Sequence, residues 1–140
     1  MTNRLKTILN SEQRQEQAGF TSGFSTIDHL HIINQVIQKS NEYGKHLCTV
    51  FIDYTKAFDS INHNFMLRAL QKQGIPDIYL ILIANMYTDL RATIVTDIKG
   101  EYFNIEKGVK QGYPLSPIIF NATLEQVFRK LNWKGRRINI

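Results

Sequence analysis

The sequence predicts an α+β fold in which several helices pack on a small antiparallel sheet. Apolar residues recur at helical spacing in several segments, and each of these segments begins at a residue typical of helix N-termini. A pair of alternating segments joined by a Lys-Gly turn favours a β-hairpin. The 140 residues, 43% of them hydrophobic, suffice for one globular domain, and no repeat or Gly/Pro/Ser-rich linker divides the chain.

The first predicted helix follows Ser25, which forms a capping-box pattern with Asp28. Its apolar residues keep helical spacing, and the helix is expected to end within residues 41–44. The next segment, Leu47–Ile52, is an unbroken apolar run rich in branched and aromatic residues. Such a run is typical of a strand covered on both faces, and Cys48 within it is expected to be a buried small hydrophobe.

The second and third predicted helices follow one another closely. Asn62 is a good N-cap for a helix with apolar residues on one side, and Gly74 is placed to close it. Pro76 then occupies a plausible first helical position for a helix running to about Leu90.

The last predicted elements are a hairpin and a helix. The hairpin joins Arg91–Asp97 to Tyr102–Ile105. Ser116 supplies a cap and Pro117 a first-turn proline for a helix through Leu131, after which residues 136–140 have the composition of a strand.

Charge and cysteine content narrow the functional classes. The net charge of +5 favours polyanionic partners, although a solvated basic surface explains it equally well. The single cysteine excludes an internal disulfide framework, which fits an intracellular protein, nuclear or cytoplasmic. We expect neither a signal peptide nor a membrane span, because no apolar stretch is long enough.

Asp53 closes the predicted strand and could hold a metal ion. Mg²⁺ is usually bound by one or two carboxylates, with phosphates and water completing its coordination. A lone acid at a strand end also commonly faces water only, so the position alone leaves both interpretations open. A second candidate segment, residues 108–121, combines glycines and prolines with Gln111, whose amide can both donate and accept hydrogen bonds.

Both segments resemble a known family. Residues 51–59 fit the pattern Phe-x-Asp-x-x-Lys-Ala-Phe-Asp, and residues 108–121 fit Gly-x-Arg-Gln-Gly-x-Pro-Leu-Ser-Pro-x-x-Phe-Asn except at Lys110, where arginine is usual. Upstream, residues 17–28 resemble the family's fingers segment, with Thr21 in place of an arginine. In this order the segments resemble the nucleotide-binding core of reverse transcriptases, most closely those of non-long-terminal-repeat (LINE-like) retrotransposons.

The resemblance implies roles for individual residues. It makes Asp53 the catalytic, metal-binding carboxylate, and it makes Phe58 the steric gate beneath the sugar, where the residue type alone indicates an ordinary core aromatic. It also implies that the nucleotide is bound by Lys110, Gln111 and Gly112. Lys56 could meet phosphate or face solvent. The residues predicted to contact nucleic acid, or alternatively to form only a solvated basic helix end, are Ser116, Pro117, Arg129, Lys130, Arg136 and Arg137.

The resemblance further implies a division into a fingers-like part, about residues 14–45, and an incomplete palm, about residues 46–140. No aspartate follows Asp97, so the family's paired-aspartate block is absent. We therefore expect a fragment of a retrotransposon-derived RNA-directed DNA polymerase, inactive alone, whose family uses Mg²⁺, deoxynucleotides, an RNA template and a DNA primer. A non-catalytic nucleic-acid-binding or interaction remnant is the alternative, and self-association through an exposed sheet edge is expected.

Overall fold

The computed structural model of the chain describes residues 1–14, 16–21, 23–97 and 99–131. The described residues form five α-helices and one antiparallel two-stranded sheet, so the predicted α+β class is confirmed. The predicted strand at 136–140, with Arg136 and Arg137, lies outside the described residues. The elements are α1 Thr2–Glu12, α2 Thr26–Glu42, α3 His63–Lys72, α4 Asp77–Tyr87, β1 Arg91–Ala92, β2 Phe103–Asn104 and α5 Ser116–Lys130.

The chain divides into two compact units. The first unit comprises Met1–Arg14 and Lys56–Ile140, and the second comprises Gln15–Thr55. The first unit holds the main apolar core, in which α3 packs against both α4 and α5. No helix among the described residues is long and apolar enough to cross a membrane.

Helices α3 and α4 form because their ends are specified locally. The Asn62 side chain accepts a hydrogen bond from the backbone N–H of Phe65 at 3.0 Å, which confirms the predicted N-cap. Gly74 follows α3 with φ +76°, a left-handed conformation that suits glycine after a helix. Helix α4 differs slightly from prediction, because Pro76 is its N-cap and the helix ends at Tyr87.

The hairpin is confirmed with shorter strands than predicted: Arg91 pairs with Asn104, and the adjacent residues of β1 and β2 form the second pair. Helix α5 has Pro117 in its first turn, as expected, but it begins at Ser116 rather than after it. The predicted capping role of Ser116 is wrong, however, because Leu115 occupies the N-cap position. The Ser116 hydroxyl instead donates to the backbone carbonyl of Lys110.

Helix α1 was not predicted. Its N-cap, Met1, makes no side-chain cap hydrogen bond, so the usual signal for a helix start is missing. Leu5 and Leu9, one turn apart, are fully buried in the core of the first unit, where α1 packs against α5. Tertiary burial therefore supports a helix whose sequence alone is largely polar.

For the second unit, one sequence prediction is confirmed and two are wrong. Ser25 and Asp28 form the expected capping box at the start of α2, which ends at Glu42 as predicted. The predicted strand at 47–52 is wrong: these residues are irregular, and Val50 and Phe51 are 74% and 81% exposed. Cys48 is exposed rather than buried. A strand requires a hydrogen-bonding neighbour, and the described residues of this unit contain no other strand.

Candidate functional site

We call the segments 51–59 and 108–121 the first and second blocks. The end of the first block and the start of the second meet through their backbones within the first unit. The N–H of Val109 donates to the carbonyl of Phe58 at 2.9 Å, and the N–H of Gly108 donates to the carbonyl of Ile61 at 2.7 Å. Asn62 and Lys107 extend this contact as an isolated antiparallel bridge. We call residues 58–62 and 107–112 the block junction. It holds two distant parts of the chain in a fixed register.

Gly108 allows the block junction to close. It is buried with φ +96°, a left-handed conformation that disfavours any residue with a Cβ. A Cβ at this position would lie 3.0 Å from both the Cα and the carbonyl oxygen of Asp59. Glycine is thus required here by both conformation and space.

Gln111 and Asp59 form a side-chain hydrogen bond across the block junction. The Nε2 of Gln111 donates to Oδ1 of Asp59 at 2.9 Å, although the two residues are 52 positions apart. Both side chains are exposed. Gly112 follows with φ +83° and open space around its Cα, so a ligand could approach the backbone closely there.

Phe58 packs on the helix that follows the second block. Its ring stacks on Phe120 of α5 with 4.7 Å between centroids and 19° between planes. Phe58 is half-buried against the core of the first unit. This placement agrees with a core aromatic, and the steric-gate role stays a prediction.

His63 bonds to the second block and contacts Tyr87. The sequence patterns did not identify either residue as part of the site. The Nε2–H of His63 donates to the carbonyl of Gly108 at 2.8 Å, and the two rings lie 4.9 Å apart. Burial raises the pKa of the Tyr87 hydroxyl, although hydrogen bonds with Ser116 and Lys110 act in the opposite direction. Sequence spacing gives no signal for His63, whereas Tyr87 follows the buried Ile83 by one helical turn.

Two further predicted site residues, Lys110 and Pro117, lie in the second block. The Nζ of Lys110 lies 5.4 Å from the ring centroid of Tyr113, a cation–π distance, and the lysine is half-buried. Pro117, also half-buried, lies in the first turn of α5. Lys56 has φ +50° and is exposed, and its carbonyl accepts the N–H groups of Asp59 and Ser60 in a tight turn.

Asp53 belongs to the second unit, where its side chain is exposed after the irregular segment 47–52. A single exposed carboxylate fits an ion that takes its other ligands from phosphate and water. The described residues contain no group of three or more His, Cys, Asp or Glu side chains that could hold a metal by themselves.

The basic end of α5 is engaged with protein groups. The Nε of Arg129 lies 2.8 Å from Oε1 of Glu125, and its guanidinium lies 3.5 Å from Oε2 of Glu12. The Nζ of Lys130 lies 4.7 Å from the ring centroid of Phe65. Their predicted contact with nucleic acid stays a prediction.

Comparison with known proteins identifies the family. The profile of the family described as "Reverse transcriptase (RNA-dependent DNA polymerase)" matches residues 1–138. The chain is 30% identical over 94% of its length to the retrovirus-related Pol polyprotein from the type-2 retrotransposable element R2DM of Drosophila melanogaster. It is 36% identical over 76% of its length to the Pol polyprotein of a type-1 R2 element from Popillia japonica.

A putative COX1/OXI3 intron 2 protein of Saccharomyces cerevisiae is also 30% identical over 94% of the chain and is covered over 16% of its own length. The chain spans only 12% of the Drosophila relative and 18% of the Popillia relative. No solved structure matches. The match over nearly the whole sequence, together with the R2 relatives, establishes that the chain belongs to the reverse transcriptase family, in its non-long-terminal-repeat retrotransposon type.

Proposed function

We propose that this chain is a fragment of a retrotransposon-derived RNA-directed DNA polymerase and that its block junction faces the incoming deoxynucleotide. One observation carries the proposal. The backbone bonds of Gly108 and Val109 hold Phe58 and Gln111, which lie far apart in sequence, on one piece of structure. A nucleotide site needs such fixed side chains, because positioning supplies much of the catalysis in phosphoryl transfer.

Each proposed nucleotide contact has a physical basis. Gln111 offers a neutral amide for a sugar or base edge, and Gly112 has open space in which a ligand can approach the backbone. Lys110 carries a positive charge that suits a triphosphate, and Phe58 offers a half-buried ring for the sugar. We propose that residues 14–45 serve as the fingers-like part and residues 46–140 as an incomplete palm.

Asp53 is the proposed metal ligand. Family members generally use divalent metal ions, and for this chain we propose Mg²⁺ held by the Asp53 carboxylate with phosphate oxygens and water. When bound, the ions activate the attacking oxygen and stabilise the leaving one. Asp53 is the only acid in a family metal position, so we propose that the chain alone does not polymerise.

Nucleotide binding tests the proposal. Equilibrium titration with each deoxynucleotide and Mg²⁺ should show binding that Gln111→Ala weakens by about two- to tenfold, because one hydrogen bond is lost. Gln71→Ala, an exposed glutamine of α3, is the matched control and should bind like the wild type. Equal binding by Gln111→Ala and the wild type would remove Gln111 from the site.

The net charge of +5 supports the alternative of a non-catalytic nucleic-acid-binding remnant. In that case RNA binding is salt-sensitive and survives Gln111→Ala unchanged. Ser116 and Pro117 lie in the first turn of α5, where Ser116 is buried, and Arg129 is ion-paired with Glu125. An RNA contact by Arg129 would therefore compete with that pair for the guanidinium.

We also propose that the chain self-associates. The sequence predicts association through an exposed sheet edge, and we propose that the exposed apolar residues 50–52, although irregular, form the contact because exposed apolar surface promotes association. The expected location is intracellular, nuclear or cytoplasmic, where its nucleic-acid and nucleotide partners are found.

A further inference from the structure

Gln111 carries two chemically different faces, and its contact with Asp59 distinguishes them. An amide presents N–H donors on one side and a carbonyl acceptor on the other. A carboxylate only accepts, so the 2.9 Å contact with Asp59 requires the Nε2 side of Gln111 to face Asp59. The carbonyl oxygen of the amide is thereby turned away from Asp59.

We propose that Asp59 is a positioning residue that orients the Gln111 amide so that its carbonyl oxygen faces the ligand. This inference rests on the proposed function, in which Gln111 faces a deoxynucleotide. An oriented carbonyl oxygen recognises a hydrogen-bond donor. The site therefore selects a nucleotide through a donor group, which is either a sugar hydroxyl or an amino group of the base.

The backbone on both sides of this bond is restrained. The N–H of Asp59 donates to the carbonyl of Lys56 at 3.0 Å, and its Cα lies directly against Gly108. In the second block, the N–H of Val109, two residues before Gln111, donates to the carbonyl of Phe58. The ordering that accompanies the Gln111–Asp59 bond therefore falls mainly on the two side chains.

A capping role does not account for Asp59. The N-cap of α3 is Asn62, whose side-chain oxygen accepts the N–H of Phe65. Asp59 lies three residues earlier and directs its carboxylate to Gln111 instead. Its side chain therefore acts on the second block rather than on the helix that follows it.

The first test observes the amide itself in the ¹⁵N-labelled chain. Loss of its signal in Gln111→Ala assigns the Gln111 side-chain amide. In the wild type its proton shifts should differ from those of the exposed Gln71. Asp59→Ala should move them to the Gln71 position, whereas Asp59→Asn, which keeps an acceptor, should restore part of the difference. An amide signal that Asp59→Ala leaves unchanged overturns the orienting contact.

The second test measures ligand selectivity, which a merely structural role would not change. Binding with Mg²⁺ is compared for deoxyadenosine triphosphate, its 2′,3′-dideoxy analogue and the analogue with an unsubstituted purine base. The wild type should lose about two- to tenfold in affinity for whichever analogue lacks the recognised donor. A lower affinity for the dideoxy analogue identifies the sugar hydroxyl as the recognised donor. A lower affinity for the unsubstituted purine analogue identifies the base amino group instead.

Asp59→Ala should bind all three nucleotides with similar affinity, because its amide is free to rotate. Equal affinities in the wild type, or a preference that persists in Asp59→Ala, overturn the selectivity. If the wild type binds no nucleotide, the proposed function fails and the selectivity fails with it. The amide spectra still decide independently whether Asp59 orients Gln111.

Discussion

Substituting alanine for Gly108 perturbs the block junction at its closest point, and Gly112 provides a matched comparison. Both glycines have positive φ, +96° and +83°, so alanine is strained at either position. That strain costs about 1–2 kcal/mol. Alanine also restricts the unfolded chain, which returns about 0.4–1 kcal/mol. From these two effects alone, each variant is expected to lose about 1 kcal/mol in the free energy of unfolding.

Of these two glycines, only Gly108 would place an added Cβ against a neighbouring residue. Its added Cβ would lie 3.0 Å from backbone atoms of Asp59, whereas nothing lies within 4 Å of a Cβ at Gly112. Backbone atoms cannot move aside as a flexible side chain can, and such overpacking typically costs about 1–3 kcal/mol. Gly108→Ala should therefore be less stable than Gly112→Ala by about 1–3 kcal/mol.

Urea denaturation of the two variants measures this difference directly. Hydrogen exchange adds a local measurement, since the Val109 amide, bonded to the Phe58 carbonyl, should exchange faster in Gly108→Ala than in Gly112→Ala. Equal free energies of unfolding for the two variants, with equal protection at Val109, would refute the close approach of Gly108 to Asp59.

Three other outcomes follow from the contacts and exposures described above. Neither the wild type nor Asp53→Asn should extend a primer on an RNA template with Mg²⁺; extension by the wild type alone would contradict the proposed inactivity. Phe51→Ser should lower the apparent mass in sedimentation experiments more than Phe24→Ser, because Phe51 is 81% and Phe24 50% exposed; equal masses would exclude segment 50–52 as the contact. Glu125→Gln should reduce stability to urea by about 1.5–3 kcal/mol, since its side chain is only 3% exposed and pairs with arginine. Glu12→Gln, at 44% exposure, should cost less than about 1 kcal/mol, and equal losses would mean that burial does not strengthen the Glu125 pair.

Local signals explain which elements were predictable. Helix α3 was predicted because Asn62 and Gly74 specify its ends within the segment itself. The capping box of Ser25 and Asp28 specified α2 in the same way. Helix α1 lacks such a cap and depends on burial of its leucines by residues distant in sequence, so no local pattern identified it.

The prediction of a strand at 47–52 was wrong because a strand does not form from local sequence alone. Its composition favours a strand, but β-structure depends on a neighbouring strand with which to share hydrogen bonds. The described residues of the second unit supply none. The apolar composition of 47–52 therefore indicated strand propensity but not whether a pairing strand exists. Without such a strand the segment is not covered, so Cys48 is exposed instead of buried.

The contacts of the candidate site could not be predicted from the sequence. The sequence patterns singled out Phe58 and Gln111, yet the bonds that join Gln111 to Asp59 and His63 to Gly108 connect positions about fifty residues apart. Such contacts arise from tertiary structure, which spacing along the chain does not encode.

In the block junction, the groups that fix the backbone register differ from the side chains that we propose to contact a ligand. Its register is fixed mainly by backbone groups of residues 58, 61, 108 and 109, and these bonds require glycine only at Gly108. Lys110, where this chain departs from the usual pattern, lies against the ring of Tyr113, and neither side chain contributes to that register. Changes at these two positions can therefore alter ligand contacts while the block junction stays intact. The proposed role of Lys110 is to contact the ligand, so we expect the loss of arginine's planar guanidinium there to change ligand contacts and leave the backbone register intact.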